Sequence, residues 1–346
     1  MTDRGQLPDG SACGRRRFLA AAAATVGVLM DGRAVEGAGA GRRVDVAVVG
    51  GGPAGLSAAL VLGRACLRAL VVDGGPGRNA PAPGVHGFLG QDGTPPAELR
   101  RVGREQLRPY DVAVEAGEVV AARRLGAEGF ELDLGPGGRV ECRRLILATG
   151  MVDVLPDIPG FRERWGDGVI HCPYCHGWET RGRPWAFLAP DAAIEEVGAL
   201  LSGWTRALTC LADGAPVGPE RRAWLAARGI ALIEEKIAGL DGPGSRLAAI
   251  RFDGGRRLEV PTLFARVPTR QRSPLAEALG AELVKDGWNA GTIRADGFGA
   301  TTVAGLFVAG DASGAGLPSV ASAVAQGAAA AAAASRALIM AAAGGP

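Results

Sequence analysis

The sequence predicts an α/β fold of two three-layer, doubly wound domains, the first interrupted by the second. Three observations carry this. A β-branched run, Val44–Val49, leads into Gly50-x-Gly52-x-x-Gly55, an Ala- and Leu-rich helical stretch to about residue 65, and a second strand at 69–72 closed by Asp73. A second strand–helix–strand pattern occupies 184–188, 192–204 and 208–211. Near residue 290 the pattern changes: Gly305–Asp311 reads as a strand ending in a turn, and an Ala-rich helix follows from about Ser319 to Ala341. The C-terminal segment therefore completes a first domain that the middle of the chain interrupts, and both units are Rossmann-like.

The expected division is residues 1–40 as a signal segment, 41–155 as the first part of the dinucleotide domain, 156–290 as the inserted domain, and 291–346 as the return. Gly and Pro are dense from 74 to 96, which predicts a long loop. A helix over 96–107 follows, then strand-like pieces to Leu147, and further strands at 230–234, 247–252 and 258–267.

The chain has 346 residues, 47% of them apolar, and a formal charge of +2. That suffices for two cores and argues against nucleic acid as a partner. No run of 18 clean apolar residues occurs, so no membrane span is expected. Arg15-Arg16-Arg17-Phe18-Leu19, the apolar stretch 20–30 and Ala38-Gly39-Ala40 have the order of a twin-arginine export signal with its cleavage site. The expected location is the periplasm or the cell exterior; if the N-terminus is only an Arg-bearing extension, it is the cytoplasm.

The glycine fingerprint has a specific physics. Gly50 permits a tight turn, Gly52 lets backbone approach a pyrophosphate, and Gly55 lets helix and strand pack closely. Pro53 and Ala54 open the helix whose free N–H groups favour negative charge. Asp73 is placed to accept from ribose hydroxyls. The fingerprint alone does not separate FAD from NAD.

Of six cysteines, Cys13 lies in the signal segment, and Cys66, Cys142 and Cys210 sit among apolar or strand-like neighbours, where a buried, inert thiol is expected. Cys172 and Cys175 stand at C-x-x-C spacing in His171-Cys172-Pro173-Tyr174-Cys175-His176, and two of the three histidines flank them. A redox dithiol, a haem attachment site (C-x-x-C-H) and a two-Cys, two-His zinc site all fit that string. Haem attachment acts on unfolded exported chains, whereas a twin-arginine signal implies export already folded. Zinc would need both adjacent histidines to turn inward from a very short loop. The redox dithiol is the preferred reading, with no metal.

From about Arg42 to Ala341 the chain resembles the thioredoxin-reductase-like pyridine nucleotide-disulfide oxidoreductases, and within them the gliotoxin- and holomycin-type dithiol oxidases. The residues that carry this are Gly74-Gly75-x-x-Arg78-Asn79-Ala80, Val85-His86-Gly87-Phe88-Leu89-Gly90, Cys172-x-x-Cys175-His176-Gly177, Ala148-Thr149-Gly150 and Thr301-x-x-x-Gly305-Leu306-Phe307-x-Ala309-Gly310-Asp311. The resemblance implies FAD as cofactor, with Arg78, Asn79, His86, Thr149, Gly150 and Gly310 in its site and Asp311 on the ribityl chain. Ser319 and Val320 would open a helix pointing at the flavin pyrimidine. It also implies Cys175 facing the flavin, Cys172 meeting the substrate, His176 (standing where ordinary reductases have Asp) as proton shuttle, and a homodimer.

One departure matters. The segment aligned with the reductases' second fingerprint, Trp185–Ile194, carries Ala189 and Asp191 at its first two glycine positions, and the basic run for a 2′-phosphate is missing after Leu211. NADPH is therefore doubtful. The expected function is an exported dithiol oxidase that forms a disulfide in a small dithiol, peptide or thioredoxin-like substrate, with O2 as acceptor. A quinone or protein acceptor, an NADPH-dependent disulfide reductase, and a redox-inert FAD-binding protein are the alternatives.

Overall fold

A computed structural model describes residues 42–126 and 129–343. The expected export signal lies outside the described residues. The first stretch forms β1 (Arg42–Val49), α1 (Pro53–Arg64), β2 (Ala69–Asp73), α2 (Pro96–Leu107), β3 (Val112–Ala116), β4 (Ala121–Arg124), β5 (Phe130–Asp133) and β6 (Arg139–Leu147). The middle forms β7 (Met151–Asp153), α3 (Phe161–Arg164), β8 (Val169–Ile170), α4 (Pro173–Thr180), β9 (Trp185–Leu188), α5 (Ile194–Leu201), β10 (Leu208–Leu211), α6 (Pro219–Ala227), β11 (Ala231–Ile233), β12 (Ile237–Asp241), β13 (Ala249–Phe252), β14 (Arg257–Glu259), β15 (Thr262–Ala265) and β16 (Thr269–Gln271). The last stretch forms α7 (Leu275–Ala278), β17 (Leu306–Val308) and α8 (Val320–Ala342).

The first sheet has the order β3-β2-β1-β6-β5-β4, and β17 joins it on β6. β1, β2, β3, β6 and β17 run parallel, while β4 and β5 extend the sheet antiparallel. The two faces of β1 explain its unbroken apolar run. Val46 and Val48 pack under α1 and α8, and Ala47 and Val49 pack on the opposite side with Leu132, Leu279 and Ile293. A strand covered on both faces cannot alternate with polar residues.

α8 is long and apolar enough, by length and composition, to cross a membrane. Here it packs along α1. Ser57 Oγ donates to Val324 O at 2.7 Å, and a Cβ on Gly327 would stand 2.0 Å from Ala54 O, so only glycine permits this crossing.

The second sheet has the parallel order β11-β10-β9-β15-β8. α5 and α6 cover one face around Trp185, Phe187 and Leu225. The antiparallel β12–β14 sheet covers the other around Ala186, Ile250 and Leu263. β7 and β16 form a two-stranded ribbon where the chain leaves and re-enters the first sheet's surroundings. The strand expected over 258–267 is two strands, β14 and β15, in different sheets. Pro261 stands between them and has no N–H to continue a ladder. The helix expected over 192–204 begins as a 3-10 turn at Asp191–Ala193 and continues as α5 only to Leu201.

Candidate active site

The parallel strands of the first sheet all end at one cavity of about 540 Å³. Gly50 follows β1, Gly74 follows β2, Gly117 follows β3, Ala148 follows β6 and Ala309 follows β17, and each lines it. The carboxyl ends of parallel strands are where α/β sheets bind ligands, because the loops diverge there and helix N-termini point inward. Gly52, Pro53, Ala54, Asp73, Arg78, Asn79, His86, Thr149, Gly150, Gly310, Asp311, Ser319 and Val320 line the same cavity, as do His171, Cys175 and His176. Among the expected site residues, Gly55 and Cys172 do not line it.

The glycines divide into two jobs. A Cβ on Gly50 would lie 2.2 Å from Ala148 O, and one on Gly55 would lie 1.8 Å from Gly50 O. Both keep the turn closed. Gly52, with φ −79° and nothing within 4 Å of its notional Cβ, faces open space. Its role is to leave room for a ligand above the N-terminus of α1. That open cradle suits a pyrophosphate.

Asp73 is nearly buried, and its carboxylate accepts from Gly75 N at 3.1 Å, from Arg100 Nη2 at 2.8 Å and from Arg104. Burial works against its charge, but Gly75, Arg104 and Arg100 outweigh it and hold the carboxyl below its ordinary value. The carboxylate expected to accept from ribose lines the cavity and is also held by two arginines from α2. Sequence reasoning missed them, because nothing in a helical Arg pattern announces a partner.

Asp311 accepts from Arg78 Nη1 at 3.1 Å, and Arg78 also grips Asp153 of β7, with Nη2 to Oδ1 at 2.6 Å. The C-terminal motif, the Gly-rich loop and the ribbon are joined by this one guanidinium. Ser319 caps α8, its Oγ accepting from Ser322 N at 3.1 Å, so the N-terminal end of this long helix opens at the cavity.

Cys172 and Cys175 form a disulfide, with Cα atoms 5.3 Å apart. Cys172 is the N-cap of α4, Pro173 follows in the first turn, and Cys172 Sγ accepts from Cys175 N at 3.2 Å. Once reduced, a sulfur at a helix N-terminus is favoured as thiolate by the free N–H groups and the dipole. Cys175 lines the cavity, while Cys172 is half-buried and does not line it. Tyr174 and Trp178 beside it are 64% and 66% exposed. Trp185 is fully buried and donates from Nε1 to Thr180 O at 3.1 Å, so it is a packing residue and not part of any approach to the dithiol.

The remaining described thiols cannot replace this pair. Burial pushes Cys142 and Cys210 up to about 12. Cys66, expected to be buried, is exposed just beyond α1 at φ +59° and does not line the cavity.

His171 Nδ1 and both ring nitrogens of His176 are buried without a hydrogen-bond partner. Such orphans normally demand an explanation, and here both residues line the cavity that the cofactor would fill. Burial, then the Arg78 charge, push His171 down to about 4 against an opposite pull from Asp153; burial likewise lowers His176. His86 approaches Asp92 at 3.5 Å and Glu179 of α4 at 3.6 Å, bridging the loop and the dithiol helix.

A stability prediction follows from these imidazoles. An unfolded His171 takes up its proton near the ordinary value of about 6.5, the folded one only near about 4. Between those values the unfolded state binds more protons, so stability falls as pH falls and levels off near pH 4. His171 alone contributes up to about 3 kcal/mol of that loss. Denaturant titrations at pH 7.5 and pH 5 should show it, and His171→Leu should flatten the difference.

At the second sheet, the turn after β9 is closed rather than cradle-like. Asp191 Oδ1 accepts from Gly218 N at 3.0 Å, and Arg221 Nε stands 3.6 Å from Glu195. Arg222 is spent on Glu234 and on Val217 O. Asp213, after β10, accepts from Ile237 N at 2.8 Å.

Residues 44–199 match the pyridine nucleotide-disulphide oxidoreductase family. The chain is 36% identical over 302 residues to thioredoxin reductase tcpT of Claviceps purpurea, covering 82% of this chain and 91% of that one. The crystal structure of an oxidoreductase from Agrobacterium tumefaciens superposes with a TM-score of 0.79 at 36% identity, covering 86% of this chain and 99% of that one. HlmI superposes with the same TM-score and identity, covering 86% and 92%. With its strand-end cavity and its disulfide on α4, the chain belongs to the thioredoxin-reductase-like pyridine nucleotide-disulfide oxidoreductases.

Proposed function

We propose that this protein is an exported, homodimeric, FAD-dependent dithiol oxidase that catalyses 2 RSH + O2 → RSSR + H2O2, within the division 41–155, 156–290 and 291–346 read from the sequence. One contrast carries the reading. The first dinucleotide turn keeps an open cradle at Gly52, whereas the second carries Asp191 in a 3-10 turn bonded to Gly218. A carboxylate there meets a pyrophosphate with like charge, which costs about 1 kcal/mol at 4 Å in water and ~4 kcal/mol at an effective dielectric of 20. Of the nearby cations, Arg221 is shared by Asp191, Glu195 and Glu220, and Arg222 pairs with Glu234.

The residues that would hold FAD are the Gly50–Ala54 turn, the loop carrying Arg78 and Asn79, Thr149 and Gly150, Asp311, and the N-terminus of α8. When bound, FAD supplies the two-electron acceptor that returns the dithiol to the disulfide and hands the electrons to oxygen. The protein's own steps are thiol chemistry. A substrate thiolate attacks Cys172 Sγ, forming a mixed disulfide and breaking the Cys172–Cys175 bond, and Cys175 leaves as thiolate. A second substrate thiol then attacks the mixed disulfide. The product disulfide departs and Cys172 keeps the electron pair. His176, neutral and unpartnered in the cavity wall, takes the thiol proton at a ring nitrogen.

The expected result with dithiothreitol and no nicotinamide is oxygen uptake with one peroxide per dithiol oxidised, lost in Cys175→Ser. Oxygen uptake that requires NADPH would reverse the reading in favour of a disulfide reductase, whose β9–α5–β10 scaffold persists here.

A further inference from the structure

Asp153, the Phe161–Trp165 turn and the distant Arg78 converge around His171. Trp165, 7% exposed, stacks on the imidazole with ring centroids 5.3 Å apart and planes 17° apart. Phe161 stacks on Trp165 in turn, with ring centroids 5.7 Å apart. Trp165 Nε1 donates to Asp153 Oδ2 at 3.3 Å. Asp153, its side chain 7% exposed, accepts Arg78 through Nε and Nη2, and Arg78 reaches Asp311.

We propose that Trp165 and Asp153 are positioning residues for His171, fixing the plane of its imidazole beside the disulfide turn and tying it to the Arg78–Asp311 pair at the cofactor end. This rests on the reading of Cys172/Cys175 as the working dithiol. The geometry leaves the ring little freedom. The indole covers one face, and the indole itself is pinned by its N–H to a carboxylate that a bidentate guanidinium holds in place. A side chain gripped in this way holds its ring nitrogens in one orientation in the cavity that Cys175 lines, which is what proton transfer at that sulfur requires. The charged and titratable groups acting on the imidazole are Arg78 from the loop, Asp153 from β7 and His176 from α4. Their sum, with burial, keeps it neutral and able to accept a proton down to about pH 4.

The test uses the FAD-loaded, full-length protein with histidine Cε1 labelled for NMR. Only three histidines occur in the chain, so His171, His86 and His176 can each be assigned by substitution. Wild type should keep His171 half-protonated near pH 4. Trp165→Phe keeps a stacking ring but loses the Nε1 bond to Asp153, so its titration and its dithiothreitol oxidation rate should fall between those of wild type and Trp165→Leu. Trp165→Leu admits water to one ring face. It should move the His171 titration up towards 6.5, shift the acid limb of kcat/KM with it, and slow turnover by at least about tenfold. Asp153→Asn leaves Arg78 less compensated and should keep His171 neutral at pH 4. Unchanged His171 titration and an unchanged acid limb in a folded Trp165→Leu protein would overturn the proposal. If that variant does not fold, His171 half-protonated at pH 4 in Asp153→Asn overturns it equally. Anaerobic reduction of the wild-type flavin by dithiothreitol is run alongside. Its failure would sink the dithiol reading, while the NMR titration still decides the positioning.

Discussion

Replacing Cys172 by serine is expected to lower dithiol oxidation by ~1000-fold or more while FAD stays bound. A hydroxyl cannot enter a disulfide, and no other described thiol can stand in for it. Cys142 and Cys210 are buried and pushed up to about 12, and Cys66 lies at the far end of α1, outside the cavity. Cys172 does not line the cavity, so the cofactor cradle is left untouched. Steady-state rates with dithiothreitol, beside the flavin absorbance of the purified variant, check both halves. A residual rate within tenfold of wild type would remove the Cys172/Cys175 pair from the mechanism.

The second large effect separates folding from cofactor binding at two glycines three residues apart. Gly55→Ala places a methyl 1.8 Å from Gly50 O, a backbone atom that can move only if β1 or α1 moves. A destabilisation of ~3 kcal/mol or more is expected, visible as a lowered denaturation midpoint in the apoprotein. Gly52→Ala meets nothing within 4 Å, and its extended backbone at negative φ accepts any residue. The apoprotein should fold as well as wild type, yet the methyl occupies the space a pyrophosphate needs. FAD affinity should fall by at least about a hundredfold, a loss of about 3 kcal/mol. Equal effects of the two substitutions on apoprotein stability would contradict this division of labour.

Much of this was legible in the residues. Val44–Asp73 announced its strand–turn–helix–strand unit, because a both-faces-buried strand, three spaced glycines and a closing carboxylate each demand particular residue types. The return of the C-terminal segment was legible from Gly305–Asp311 and the long alanine helix, and β17 does pair with β6. Other features were not. β12 was missed because its register shifts between Ile237 and Gly239, breaking the period of two. α4 was hidden because its eight residues carry no apolar stripe, only Pro173 at the start and a cysteine as cap. Asp153 and Trp165 escaped entirely. Their significance lies in contacts to Arg78 and His171 that join positions 78, 153, 165 and 171 across the ribbon and the dithiol turn. The grip of Arg100 and Arg104 on Asp73 is of the same kind: an i, i+4 arginine pair reads as a solvated helix face until the strand beneath it is in place.

On the proposed mechanism, electrons enter from a dithiol and not from a nicotinamide. An anaerobic titration of the FAD-loaded protein tests it most directly, following the yellow flavin absorbance while NADPH is added first and a small dithiol second. The predicted result is no change with NADPH, full bleaching with the dithiol, and recovery with peroxide release on admitting air. Rapid bleaching by NADPH would contradict the account and show that Asp191 and the closed turn after β9 do not keep the nucleotide out.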